Sequence, residues 1–241
     1  MPLFKRVLIP LLSLLLCAMI PAVSLFAAPS ATTKPTQKDA IPLIILDAGH
    51  GGEDGGAVGV NGVLEKTLNL TITRLLATQL RTAGFLVLET RTEDRLLYSE
   101  GTKRGHKKQS DLENRLAVMQ KYPESIFVSI HMNTFQTPDC EGLQVWYSEG
   151  DARSKALAEC VQDTVKAHLQ PQNNRRVKAA GRSIYILKHA TSPAILVECG
   201  FLSTPAECEL LCNEAYQRAL ALTLFAAICE NILPDSCATG G

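Results

Sequence analysis

His50, Glu65, His131 and Glu198 are the residues of this chain whose types and settings could do chemistry together. Each histidine follows a short apolar run, LIILDAGH (43–50) and IFVSIH (126–131), and Glu65 opens the first long amphipathic segment. Two imidazoles and a carboxylate are the donor set of a catalytic zinc ion, which keeps its fourth position for water. Glu198 ends a third apolar run, AILVE (194–198), where an acid would otherwise be an expensive neighbour of the core. A carboxylate outside the ligand set can take a proton from water and return it to a leaving group. The expectation is a metallohydrolase that holds one Zn2+ on His50, Glu65 and His131 and uses Glu198 as general base.

The loop after the first histidine run, AGHGGEDGGAVGVNG (48–62), contains seven glycines. Those at 49, 51, 52, 55 and 56 let backbone crowd against ion and substrate, where a Cβ would intrude. The loop lacks both the GK[ST] ending of a P-loop and the GxGxxG spacing of a dinucleotide site. Taken singly, each member of the quartet has a plain explanation. The histidines would be strand-end residues with a hydrogen bond, Glu65 a first-turn acid answering the helix dipole, and Glu198 a salt-bridged acid. Together these explanations become improbable. Asn133, two past His131, either lines the site or turns the chain. Asp94, Asp111 and Glu113 read as surface acids, and His106, His168 and His189 as non-ligands.

Alternating elements must bring these positions together. IPLIILD (41–47) is continuously apolar, as in a strand buried on both faces. Leu64, Leu68, Ile72, Leu75, Leu76 and Leu80 recur at helical spacing, with Gly84 as terminator. FLVLETR (85–91) and SIFVSIH (125–131) read as strands, separated by a helix over 110–120 with Ser110 as N-cap. GLQVWYS (142–148) alternates, as an edge strand does. A helix over 151–168, strands at SIYILK (183–188) and PAILVE (193–198), and a closing helix over 213–232 complete the chain. The fold class is therefore α/β: a single domain with a mostly parallel, twisted sheet of about six strands and helices on both faces. Ligands in such sheets bind beyond the carboxyl ends of the strands, where His50, His131 and Glu198 all fall.

The ends of the chain carry other information. Lys5-Arg6 precedes VLIPLLSLLLCAMIPAVSLFAA (7–28), the charged and apolar regions of an export signal, long enough to remain as a membrane anchor. Residues 29–41 read as a flexible linker, 42–233 as the catalytic domain and 234–241 as a tail. Without residues 1–28 the chain has 22 basic and 24 acidic side chains, a net charge of −2, which does not suit a nucleic-acid binder. Lys103–Arg104–Gly105–His106–Lys107–Lys108 stands out as a basic patch, read as a solvated loop or as a contact with an anionic polymer or membrane surface. Seven cysteines beyond the signal cannot all pair, and they read mainly as buried free thiols, with Cys140–Cys237 open.

The segments LIILDAGHGGEDGGAVGVNGVLEK (43–66), LETR (88–91), FVSIHMN (127–133) and AILVECGFLSTPAECELL (194–211) resemble the zinc-dependent N-acetylmuramoyl-L-alanine amidases of bacteria. The resemblance runs in order through about 42–232. It places the family's zinc ligands on His50, Glu65 and His131 and its catalytic glutamate on Glu198. It implies cleavage of the amide between N-acetylmuramic acid and L-alanine in peptidoglycan glycan strands with stem peptides. Ala48, Met132 and Cys199 depart from the usual residues, and the inserted helix that blocks the zinc site in cell-division members is absent. Size, the single N-terminal apolar segment and SIYILKHATSPAILVECGFLS are most similar to the sporulation members. These strip stem peptides so that spore cortex gains muramic δ-lactam, which implies a muramic acid deacetylase acting on the product. Rival readings are a vegetative wall amidase, a zinc peptidase acting on the stem peptide, a non-catalytic wall-binding protein, and a cysteine hydrolase using Cys199.

Overall fold

Apolar runs in the sequence become the interior of a six-stranded sheet. The computed structural model describes residues 41–137 and 139–233. The stretches read as export signal (1–28) and tail (234–241), and nearly all of the one read as linker (29–41), lie outside the described residues. Strand β1 (Ile44–Ala48) is buried at all five positions, as its continuous apolar sequence requires of a strand covered on both faces. It pairs in parallel with β2 (Val87–Glu89) and β3 (Ile126–Asn133), and β3 pairs in parallel with β6 (Ala194–Phe201). β4 (Gln144–Tyr147) runs antiparallel to β6 and parallel to β5 (Lys178–Ala179), giving the order β2-β1-β3-β6-β4-β5.

Helices cover both faces. On one, α1 (Glu65–Thr82), α3 (Ala152–His168), α5 (Pro205–Cys212) and α6 (Glu214–Ile232) close the larger core, through Leu76, Val161, Leu211 and Leu224 among others. On the other, α2 (Lys107–Lys121) and α4 (Tyr185–Lys188) cover a smaller core around Ile45, Phe127, Met119 and Leu187. Asp151 caps α3 through Arg153 N, and Asn213 caps α6 through the amides of Ala215 and Tyr216, so each satisfies N–H groups that a helix start leaves bare.

Three local expectations are corrected. SIYILK is not a strand: Tyr185–Lys188 forms the short helix α4, which buries Ile186 and Leu187 against the sheet. A short apolar run without periodicity fits either state. The sixth strand is instead Lys178–Ala179, too short and too polar to announce itself, and its presence makes β4 an interior strand. Helix α2 begins at Lys107, so Ser110 lies inside it, where its hydroxyl accepts from Ser99 N at 3.0 Å. The cysteines at 140, 160, 199, 208, 212 and 229 are free thiols. No helix of the described residues is long and apolar enough to cross a membrane.

Candidate metal and catalytic site

β1 and β3 pair side by side, so His50, two residues past the end of β1, meets His131, near the carboxyl end of β3, their rings 5.0 Å apart. Across that gap stands Glu65, the first residue of α1, at the helix end where the macrodipole favours a carboxylate. Glu65 Oε2 lies 3.3 Å from His50 Nε2, and Oε1 lies 3.0 Å from His131 Nδ1. The three donor atoms all fall within 4.8 Å of one another. Backbone amides fix the carboxylate: Ala57 N donates to Oε2 at 2.8 Å and Met132 N to Oε1 at 3.0 Å. Asn69 Nδ2 adds a bond to Oε1 at 3.3 Å. Burial raises the Glu65 pKa, but hydrogen bonds and charge from His131 and His50 outweigh it and hold the carboxyl well below its usual range. Burial likewise opposes protonation of His50, but Glu65 and Asp54 reverse that and raise its pKa.

Two glycines show why the loop needs no side chains. A Cβ on Gly49 would collide with the imidazole of His131, and one on Gly56, at φ +67°, would strike Glu65 and His50. His50 itself is the non-glycine residue with positive φ (60°) among the described residues. That conformation costs roughly 1–3 kcal/mol and persists only where its surroundings impose it. Two buried arginines do so. Arg115 donates to the carbonyls of Ala48 (2.8 Å) and His50 (2.7 Å), while Arg91 donates to those of Ala48 (2.8 Å) and Gly49 (2.9 Å). Asp54 Oδ2 sits 3.0 Å from His50 Nδ1, close enough for a charge interaction, although that ring nitrogen is not aligned for a hydrogen bond.

Beneath the loop lies Asp47, fully buried on β1. It accepts from Thr90 Oγ1 (2.6 Å), Ser129 Oγ (2.6 Å) and Arg115 Nη1 (2.6 Å). Burial pushes its pKa up, but the Arg115 charge and the two hydroxyls prevail and bring it down to about 2. Arg115 also grips Asp111 at 2.8 Å through Nε. The reading of Asp111 as a surface acid is therefore corrected: it is 3% exposed and belongs to this support. Asp94 and Glu113 are exposed, as are His106, His168 and His189.

Glu198 stands on β6 directly across from His131 on one side and Gln144 of β4 on the other, so the three side chains share a face. Its Oε2 is buried without a protein hydrogen-bond partner. Burial, partly offset by the charge on His131, lifts its pKa to about 7. A buried carboxylate oxygen with nothing to accept from marks the place of a group from outside the protein. Together with two imidazole nitrogens and a carboxylate aimed at one point, it fits a catalytic metal ion and its water. Asn133 closes β3 beyond a register shift, and its Oδ1 accepts from Thr134 N at 2.8 Å, so one half of the amide turns the chain. Cys199 is fully buried, and burial pushes its thiol well above the ordinary value, which removes it as a nucleophile at neutral pH.

The structure brings His50, Glu65 and His131 together with Glu198 beside them, and it adds neighbours that the sequence reading does not name: Asp47, Asp54, Asn69, Arg91, Arg115 and Gln144. Asp47 at the end of an apolar run carried the same signal as Glu198. The others sit in amphipathic or loop settings that give none.

The family described as N-acetylmuramoyl-L-alanine amidase matches residues 44–230. A germination-specific N-acetylmuramoyl-L-alanine amidase of Bacillus subtilis (strain 168) is 34% identical over 187 residues, covering 77% of this chain and 78% of that protein. Among solved structures, the CwlD amidase from Clostridioides difficile in complex with the GerS lipoprotein aligns with a TM-score of 0.77 and 38% identity, over 80% of this chain and 100% of that one. N-acetylmuramoyl-L-alanine amidase AmiC2 of Nostoc punctiforme aligns with a TM-score of 0.67 and 30% identity, over 79% and 97% of the two chains.

Proposed function

Because the chain belongs to the N-acetylmuramoyl-L-alanine amidase family, and so acts on peptidoglycan, we propose that it works with one zinc ion on His50, Glu65 and His131 and strips stem peptides during the making of spore cortex. The observation that carries the reading is the partnerless Oε2 of Glu198 facing the converging donors of His50, Glu65 and His131. When bound, zinc supplies a Lewis acid that polarises the scissile carbonyl and makes water acidic enough to ionise near neutrality. Glu198 takes the water proton and hands it to the departing nitrogen of L-alanine, so one carboxyl is base and then acid. Gly49 and Gly56 let the loop backbone close on His131, Glu65 and His50, and Asn133 offers its remaining amide end to the substrate.

The cortex role is supported by similarity to a germination-specific relative. On this reading the protein acts outside the cytoplasm, with residues 1–28 as signal or anchor, and a muramic acid deacetylase works on its product. The CwlD amidase was solved with the GerS lipoprotein, which makes a lipoprotein a candidate partner here. General wall remodelling is the second reading, since relatives and neighbours named only as N-acetylmuramoyl-L-alanine amidases share the fold.

Two measurements check these statements. Chelation is expected to abolish cleavage of purified peptidoglycan and added zinc to restore it, whereas Cys199→Ala retains most activity; the reverse pattern would reject the metal mechanism. Spores lacking the protein are expected to lack muramic δ-lactam in their muropeptide profile. A normal lactam content with altered vegetative wall would move the role to remodelling, and shortened stems still attached to sugar would reveal a peptidase.

A further inference from the structure

From Thr164 to Val197 the chain contains no aspartate or glutamate, yet it carries Lys166, Arg175, Arg176, Lys178, Arg182 and Lys188. None of these cations forms an ion pair among the described residues. In the basic cluster at 103–108, Lys107 pairs with Glu53 at 3.0 Å and Lys108 with Asp54 at 3.4 Å, while Lys103 and Arg104 are likewise outside any ion pair among the described residues. Arg175, Arg176 and Lys178 thus bring three cations without an ion pair to the β5 edge of the sheet, with Glu159 and Asp163 of α3 lining the pocket beside the two arginines.

That side begins at the catalytic carboxylate. Gln144, across from Glu198, accepts from Arg175 Nη1 at 3.4 Å and donates to the Arg176 carbonyl at 2.9 Å. Arg175 Nε is bonded to the Glu141 carbonyl at 2.6 Å, and its guanidinium lies 4.4 Å over the Phe201 ring. The nearby Glu207 is engaged by the amides of Gly142 and Phe201 and does not pair with Arg175. Two residues along β4, on the same face as Gln144, Trp146 is half-buried beneath Lys178, whose Nζ is 5.3 Å from the ring centre. Glu198, Gln144, Trp146 and the two cations thus form one continuous flank.

On the amidase reading, we propose that this β5 flank, led by Arg175 and Lys178, is the subsite that receives the free carboxylates of the stem peptide while Glu198 works on its first amide. A stem peptide carries carboxylates on residues after the alanine, spaced along a chain that advances about 3.3–3.6 Å per residue. Cations strung along a strand edge match such a spread better than they match a single compact anion. Guanidinium suits carboxylate through its paired donors, and the half-buried Trp146 beneath Lys178 gives the peptide's methylene groups a surface.

The test uses the full chain carrying Glu198→Gln, loaded with zinc, and titrates muramoyl peptides whose stem carboxylates are either free or amidated. Amidation is expected to weaken binding about tenfold, the sum of a few exposed charge contacts. Adding Arg175→Gln and Lys178→Gln should bring the two peptides within about twofold of each other; Lys178→Gln alone, at an exposed position, should give part of this loss. Equal binding of both peptides by the parent, or full discrimination by the double variant with an unchanged melting curve, overturns the subsite. Binding of phosphatidylglycerol vesicles that falls with the same substitutions, without carboxylate discrimination, assigns the flank to a lipid surface instead. Wild-type protein that leaves the lactyl amide intact while the carboxylate preference persists would fail the amidase reading and still support the subsite.

Discussion

Glu198→Gln is expected to lower the rate of amide cleavage by about 10²–10⁴-fold while making the metal-free protein more stable near pH 8. Both effects come from one feature, the burial of a carboxylate with no protein donor. Glutamine keeps the shape but cannot take the proton from water or return it to nitrogen. The stability effect follows from linkage. Burial lifts the Glu198 pKa from its ordinary 4.5 to about 7, so the fold prefers the neutral form. The resulting penalty is absent below about pH 4.5, grows as pH rises toward 7, and is complete above it. Its full size is on the order of 3 kcal/mol, which glutamine removes. Bound zinc favours the ionised carboxylate and should shrink the gain. Paired melting curves at about pH 5 and pH 8, with and without zinc, separate these contributions. An active glutamine variant would dismiss the general base, and a variant no more stable at high pH would dismiss the burial argument.

The same carboxylate shows what was legible beforehand. His50, Glu65, His131 and Glu198 could be read because each polar residue interrupts or ends an apolar pattern, and a polar group there needs a reason. Parallel topology then supplied the meeting place at the strand ends. Arg115 could not be read this way. In an amphipathic helix an arginine looks solvent-facing, and its partner Asp47 is 68 residues away in sequence. Asp111 was misread for the same reason, since its burial follows from that arginine. The sixth strand escaped because Lys178–Ala179 is held by β4 rather than by any propensity of its own. The charged flank was visible in composition as a long acid-free segment, but only the pairing of β5 with β4 places it beside Glu198.

Arg115→Met is expected to destabilise the protein by about 3–5 kcal/mol, the usual result of leaving a buried charge alone. Arg115 and Asp47 are each about 1% exposed or less, and the guanidinium also holds Asp111 and the carbonyls of Ala48 and His50. Removing it leaves Asp47 with two hydroxyl donors and no ion-pair partner in contact, Arg91 acting on it only at longer range. At this chain length the loss corresponds to a fall of roughly 10 °C in Tm. The pH dependence identifies the cause. In the wild type the Asp47 carboxyl is held at about 2, so its stabilisation is present above about 3.8 and fades as pH falls through 2. Without Arg115, burial raises the Asp47 pKa, so protonation relieves the stranded charge and the variant's deficit should shrink between about pH 7 and pH 4. Asp47→Asn added to Arg115→Met should recover part of the loss at neutral pH. A second consequence reaches the site: with the His50 carbonyl released, the strained backbone at φ 60° loses one of its clamps, and zinc affinity should fall with stability. A deficit that stays constant with pH, or that the asparagine leaves untouched, would mean that packing of the arginine stem rather than its charge supports the catalytic loop.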